Sequence, residues 1–213
     1  MTAFDDRKVY AKGSLDDAEG FDVLQLLTLW LEEAKASDPD DYNAMTLSTV
    51  GSDGHPNARI VLLRAVQSND AGDALTFYTN YQSAKGRELL AHPHAAATFF
   101  WRDLERQLRV RGRVEQMPEA DSDRYFESRP RASQIGAWAS SQSEEVEGRS
   151  ALENAYAAFE DKFEGAVPRP PHWGGFLLHI EEIEFWQGRP GRMHDRLVAR
   201  KSGHGWTRRR LQP

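Results

Sequence analysis

The stretch Leu108-Arg109-Val110-Arg111-Gly112-Arg113-Val114 alternates small or apolar side chains with arginines, without a break. A period of two sends successive side chains to opposite faces of an extended chain, so this is a strand with one dry and one wet face. Apolar, β-rich runs precede it at residues 44–50, 58–66, 74–79 and 95–101. Turn formers such as Ser52-Asp53-Gly54 and Asn69-Asp70-Ala71-Gly72 separate them. Three further strands are expected at residues 175–185, 192–199 and 205–211. Strands at such intervals predict a barrel or sandwich.

Helices fill the space between. Phe21, Leu24, Leu27, Leu31 and Ala34 recur near every 3.6 residues, which predicts an amphipathic helix over 21–36. Further helices are expected at 119–128, 133–140 and 144–163. Ser143 is the expected cap of the last, and its apolar positions Leu152, Tyr156, Phe159 and Phe163 fall on one face. Val167-Pro-Arg-Pro-Pro171 then stops helix formation. The fold class is therefore mainly β with peripheral helices. Strand and helix do not alternate regularly, and no Gly-x-Gly-x-x-Gly follows the first strand, which argues against a nicotinamide-binding Rossmann fold.

The 213 residues suit one domain plus tails, and 39% hydrophobic with 28% charged residues is a globular composition. The mean hydropathy is -0.68, and no apolar run approaches a membrane span. No secretory signal is read at the N-terminus, so the expected address is cytoplasmic. The absence of cysteine excludes disulfides, thiolate-held zinc and thiol catalysis. Redox chemistry would need a bound cofactor. Seven scattered histidines without a His-Glu-x-x-His motif predict no metal site.

The net charge of -6 hides a basic C-terminal stretch, in which Arg189, Arg192, Arg196, Arg200, Lys201, Arg208, Arg209 and Arg210 face one acid, Asp195. It is either a solvated basic tail or the holder of a small anion, because guanidinium forks match phosphate oxygens. Within it Arg192, His194 and Arg196 alternate, so an extended chain would aim all three at one face. Such a trio repels itself unless an anion sits among them. Tyr78-Thr-Asn-Tyr-Gln-Ser83-Ala-Lys85 runs from a strand end into an expected helix near Ser83. The free amides and dipole there favour a phosphate, and Lys85 adds a charge; the plainer reading is a cap followed by a surface lysine. Arg59 and Arg64 flank an apolar run and would point to opposite faces unless a bulge intervenes.

Taken in order, Arg59-Ile-Val-Leu-Leu-Arg64, Tyr78-Thr-Asn80, Leu104-Glu-Arg-Gln107, the run Tyr125 to Trp138, Gln142-Ser143, Trp173-Gly-Gly-Phe176, Ile183 to Arg189, Arg192-Met-His-Asp-Arg196 and Arg210-Leu-Gln-Pro213 resemble the motif set of the pyridoxamine 5'-phosphate oxidase family. The likeness extends from about Arg7 to the last residue. It implies an FMN-binding split β-barrel that works as a homodimer, with FMN in clefts built from both subunits. The implied FMN set is Arg59, Ile60, Val61, Leu62, Leu63, Arg64, Tyr78, Thr79, Lys85, Gln107, Gln142, Ser143, Trp186 and Arg196, with Arg59 and Lys85 at the phosphate. The implied substrate set is Arg7, Tyr10, Arg64, Tyr125, Arg129, Ser133, Arg192 and His194, with Arg192 and His194 nearest the chemistry. Residues 1–20 would form a segment that closes over the site, and residues 21–213 the barrel domain.

The implied reaction is oxidation of pyridoxamine or pyridoxine 5'-phosphate to pyridoxal 5'-phosphate in vitamin B6 metabolism. Dioxygen would be the electron acceptor, released as hydrogen peroxide, with ammonia released from the amine. Two positions depart from the family's pattern: Arg64 replaces a usual lysine, and Ala84 stands where many members have arginine. A different split-barrel flavin enzyme, or a non-catalytic flavin or pyridoxal phosphate carrier, are the competing readings. Neither nucleic acid nor membrane is an expected partner.

Overall fold

The computed structural model describes residues 9–15, 22–69, 72–203 and 205–213. Its first element is helix α1 (Val23–Ser37), capped by the Asp22 carboxylate, which accepts the amides of Leu24 and Gln25 at 2.9 Å. Phe21 lies outside the described residues. The deepest side of α1 is Val23, Leu27, Trp30 and Ala34, with Leu24 and Leu31 at its margin.

Strands β1 (Ala44–Val50), β2 (Pro56–Leu62), β3 (Ala65–Asn69) and β4 (Gly72–Asn80) precede helix α2 (Ala84–Ala91), strand β5 (His94–Trp101) and strand β6 (Arg106–Gln116). Helices α3 (Glu119–Glu127), α4 (Arg131–Ala139) and α5 (Arg149–Lys162) come next. Strands β7 (Trp173–His179), β8 (Glu182–Gln187), β9 (Asp195–Ser202) and β10 (Gly205–Arg210) complete the chain. The described strands form one antiparallel sheet in the order β10-β9-β8-β6-β5-β1-β2, with a branch β3-β4-β7 returning to β6.

Strand β6 is the hinge of this arrangement. Its first half pairs with β8 through Arg106–Arg111 and its end pairs with β7 through Val114–Gln116. Between the two halves lies Gly112, where a Cβ would stand 1.9 Å from the His179 carbonyl oxygen. The corner joining β7 to β8 therefore crosses β6 at the one residue without a side chain. Leu108, Val110 and Val114 point inward, as their alternation predicts, onto Met45, Leu47, Phe77, Phe99, Phe176 and Phe185. Trp30 of α1 joins them edge-on to Phe185 at 5.1 Å, under the guanidinium of Arg106. A second cluster of Phe126, Ile135, Val167 and Trp173 seats the helical middle beside the sheet.

Four expectations need correction. The run 58–66 is two strands, because the chain turns a corner at Leu63 and Arg64: Leu63 N donates to Asn43 O and Arg64 N to Thr76 O, both at 2.8 Å. The run 175–185 is likewise two strands, split at the corner over Gly112. The last helix begins at Arg149 rather than Glu144, and Leu152 is exposed. The segment 192–199 is extended only from Asp195, since Pro190–Arg192 forms a 3-10 turn with Gly191 and Arg192 at φ 65 and 61.

Candidate active site

The corner at Leu63 puts Arg64 where an unbroken strand would not. Arg59, Ile60, Val61, Leu62, Arg64, Tyr78, Thr79, Lys85, Tyr125, Arg129, Gln142 and Trp173 line one cavity of about 320 Å³. Arg59 and Arg64 thus share a cavity instead of serving opposite faces.

One pole of this cavity is the start of α2. Ser83 caps it, accepting the Gly86 amide at 3.3 Å. Gly86 is required there, because a Cβ would lie 2.2 Å from the Tyr81 carbonyl oxygen. Lys85 reaches neutral oxygens, Gln142 Oε1 at 2.8 Å and Thr79 Oγ1 at 3.3 Å. Burial lowers its pKa, and the Arg59 charge lowers it further. The Arg59 guanidinium itself is engaged: it donates to Glu88 Oε2 at 3.0 Å, to Thr49 Oγ1 and to the Leu47 carbonyl. Lys85 is accordingly the cation of this pole that lacks a carboxylate bond, and an added anion would satisfy it.

Ser143 is not the cap of the last helix. Its Oγ accepts the Ala84 amide at 3.2 Å and its backbone lies at φ 76, so it ties the loop after α4 to the start of α2, although Gln142 and not Ser143 lines the cavity.

The second pole is built on aromatic rings. Tyr78 stacks on Tyr125 at 3.7 Å and on Trp173 at 5.4 Å, all three nearly parallel. Gly175 permits this, since its Cβ would come 2.9 Å from the Tyr78 ring. Burial pushes the Tyr78 phenol up to about 12, so it stays protonated and donates to Met117 Sδ. Arg129 lies over Trp173 at 4.4 Å, and its buried Nη1 has no hydrogen-bond partner. Burial, and then the neighbouring Arg64 charge, lower its pKa. A buried guanidinium nitrogen without an acceptor, beside a second arginine, is a place prepared for an anion. Ser133, in the first turn of α4, is not among the residues lining this cavity.

The remaining expected residues gather elsewhere. Gln107 registers with Trp186 and Trp186 with Arg196, forming a row across β6, β8 and β9. Arg196 is clamped by Glu184, with Nε to Oε1 at 2.8 Å and Nη2 to Oε2 at 3.1 Å, while Arg109 reaches the same carboxylate at 3.2 Å. The bond to Glu184 raises the Arg196 pKa. His194 lies against Trp186, their ring centres 4.6 Å apart, and its Nδ1 accepts the Arg189 amide at 3.1 Å. That bond assigns the proton of the neutral ring to Nε2. Burial, with the Arg192 charge, lowers the His194 pKa. Tyr10 meets the rings of Trp186 and His194 edge-on at 5.7 and 5.2 Å. Arg7 lies outside the described residues.

Arg192, in its left-handed turn, does not share an extended face with His194 and Arg196 as the alternation suggested. Glu105, Ser143 and Arg192 are the non-glycine residues with positive φ among the described residues, and all three belong to these clusters or their supports. Trp173, Glu184 and Glu105 were not in the expected set. Glu105 and Glu184 fall inside the family-like runs Leu104–Gln107 and Ile183–Arg189, and Trp173 opens the run Trp173-Gly-Gly-Phe176, in which Gly175 leaves room for the Tyr78 ring.

The expected set therefore forms two groups. β2 ends one edge of the sheet, whereas β8 lies four strand steps away, about 19 Å along the sheet at about 4.8 Å per step. On the outward face between them Ile60 is 63% and Phe100 58% exposed. Among the described residues no group of three or more acidic or histidine side chains could hold a metal, and no helix is long and apolar enough to cross a membrane.

Comparison with known proteins agrees with this architecture. A sequence model of the family described as pyridoxamine 5'-phosphate oxidase matches residues 31–163, and one described as the pyridoxine 5'-phosphate oxidase C-terminal dimerisation region matches residues 173–213. A pyridoxine/pyridoxamine 5'-phosphate oxidase of Burkholderia multivorans is 48% identical over 218 residues, covering 100% of both chains. The crystal structure of PhzG from Burkholderia lata, in complex with tetrahydrophenazine-1-carboxylic acid, superimposes with a TM-score of 0.85 at 29% identity, covering 92% of this chain and 95% of that one. An FMN-binding, pyridoxamine 5'-phosphate oxidase-related protein of Nostoc punctiforme shares the fold, with a TM-score of 0.72 at 15% identity over 91% of this chain and 100% of that one.

Proposed function

The chain belongs to the pyridoxamine 5'-phosphate oxidase family, an FMN-dependent oxidoreductase family of split-barrel fold, and from that premise we propose that it oxidises pyridoxine and pyridoxamine 5'-phosphate to pyridoxal 5'-phosphate. The observation that carries this reading is the pair of anion poles in one cavity, Lys85 at the start of α2 and Arg129 with Arg64 beside the stacked rings. Two phosphates, one from cofactor and one from substrate, are what such a cavity can satisfy.

The residues present fit FMN. Lys85, at the start of α2, would hold its phosphate even though Ala84 offers no guanidinium, while Gln107, Trp186 and Arg196 would meet its ring system. The two groups of residues would join when the outward sheet face of one chain meets that of a second, so that each site draws on both subunits. The C-terminal dimerisation region, which contains β8 and β9, supports this arrangement. When bound, FMN supplies the two-electron acceptor, which dioxygen returns to its oxidised state.

The protein's own contribution is placement. Arg129 and Arg64 would grip the substrate phosphate, and the Tyr125 hydroxyl would complete that grip. His194 is neutral near pH 7 and has its proton on Nε2, so it would donate a hydrogen bond to the oxygen or nitrogen on the reacting carbon. Arg192 would polarise the same substituent, and Tyr10 would exclude water above it.

Addition of pyridoxine 5'-phosphate to the FMN-loaded protein in air tests the proposal. Pyridoxal 5'-phosphate and peroxide should accumulate in equal amounts. Bound flavin without product would overturn it in favour of another substrate class, for which a reduced phenazine carboxylic acid, the ligand class in the PhzG structure, is the comparison assay.

A further inference from the structure

Glu105 joins the short turn Arg102–Leu104 to β6, and three observations about it have no explanation in local folding. Its backbone is left-handed, φ 56 and ψ 37, where glycine or asparagine would be easier. It is 3% exposed, rare for a glutamate. Its carboxylate Oε2 accepts the amides of Ala11 at 2.7 Å and Lys12 at 3.0 Å, from a segment more than ninety positions away. A strained backbone in a residue chosen against propensity points to a requirement for its side chain.

The segment it holds is fitted to the site by further contacts. Gly188 has no Cβ, and one built there would lie 2.3 Å from Tyr10 Cδ1. A Cβ at Gly13 would lie 2.8 Å from Gln187 Oε1. Arg189 Nη1 donates to the Gly13 carbonyl at 2.7 Å and Asp195 Oδ2 accepts the Leu15 amide at 3.1 Å. The Glu105 carbonyl also accepts the Gly188 amide at 2.8 Å, so one residue ties the segment and the chain leaving Trp186 to a single point.

We propose that Glu105 is a positioning residue, whose carboxylate holds the Ala11 and Lys12 backbone so that Tyr10 is set against His194 and Trp186. Its kinetic consequence rests on the function proposed above. Its structural consequence does not.

The test uses the FMN-loaded protein with Glu105→Gly, which removes the carboxylate and relieves the backbone, together with Tyr10→Ala and the double variant. Trypsin cleavage after Lys12 should accelerate at least tenfold in Glu105→Gly, the scale of losing hydrogen bonds to a charged acceptor, with FMN affinity unchanged. KM for pyridoxine 5'-phosphate should rise roughly tenfold in each single variant and no further in the double, because the two residues act as one unit. Glu105→Gln keeps one acceptor oxygen and should fall between wild type and Glu105→Gly in both readouts, which preserves the test if the glycine variant does not fold. Wild-type cleavage rates in both Glu105 variants, or KM effects that multiply in the double variant, would overturn the proposal. If wild type does not oxidise the substrate, the functional reading fails while the cleavage rates still decide the role of Glu105.

Discussion

His194 accepts the backbone N–H of Arg189 on Nδ1 at 3.1 Å, which leaves Nε2 as the ring's donor toward the site. Burial and the Arg192 charge lower its pKa below the usual 6.5. The neutral form is thus retained as pH falls to 6.5; below it Nδ1 gains a proton, which ends its acceptance of the Arg189 amide and adds a charge beside Arg192, while Nε2 keeps its hydrogen. Turnover should show an acid limb under pH 6.5 to which His194 contributes. His194→Gln, which keeps an N–H at the same reach but does not titrate, should remove that contribution while holding kcat within about tenfold; His194→Leu should lose about 100-fold. An unchanged acid limb in His194→Gln would place the titration elsewhere.

Arg192 is exposed, with a left-handed backbone at φ 61 in the turn before His194. Arg192→Leu should lower kcat about 100-fold or more and leave FMN binding intact. Loss of flavin, measured by visible absorbance after gel filtration, would mean that the residue serves the cofactor instead.

Arg129 keeps a buried nitrogen without a partner over the Trp173 ring. Removing the charge removes a charge-assisted bond worth about 1.5–3 kcal/mol, so Arg129→Leu should raise KM for pyridoxine 5'-phosphate roughly 10- to 100-fold. The melting temperature should hold or rise, since an unsatisfied buried group is deleted. A fall in FMN affinity with unchanged KM would reverse the assignment of the two poles.

Glu184 holds both Arg196 and Arg109 from an almost fully buried position. Glu184→Ala leaves two guanidinium groups without their shared counter-charge and should both destabilise the fold and weaken FMN binding roughly tenfold. Glu184→Gln should recover part of each. Fluorescence titration of FMN against each variant checks this, and unchanged affinity in both would make Glu184 structural alone.

What could be read from the chain depended on whether the deciding interaction was local. Leu108 to Val114 was legible because alternation alone fixes its faces. The corner at Leu63 and Arg64 was not, because an apolar run continues through it while the hydrogen-bonding partner changes from Asn43 to Thr76. Pro190 and Gly191 are turn formers that mark where Arg192 leaves the strand, a break that the alternation of cations by itself does not carry. The helix start capped by Ser83, with Lys85 beside it, was legible because a cap is a local pattern. Glu105 and Glu184 were not, since a glutamate reads as surface until a partner distant in the chain buries it.

Among the described residues, left-handed non-glycine backbone occurs at Glu105, Ser143 and Arg192, all at the candidate site or holding it together. Replacing each by glycine would relieve about 1–2 kcal/mol of local strain, but at Glu105 and Ser143 it would also delete the bonds accepted from Ala11, Lys12 and Ala84, so relief is the larger effect only at exposed Arg192. A route to a more heat-resistant protein therefore runs through Arg192, a position of the proposed chemistry. Laboratory selection on heat survival alone would be drawn to that turn, and a population so evolved would be expected to keep its barrel while shedding its turnover.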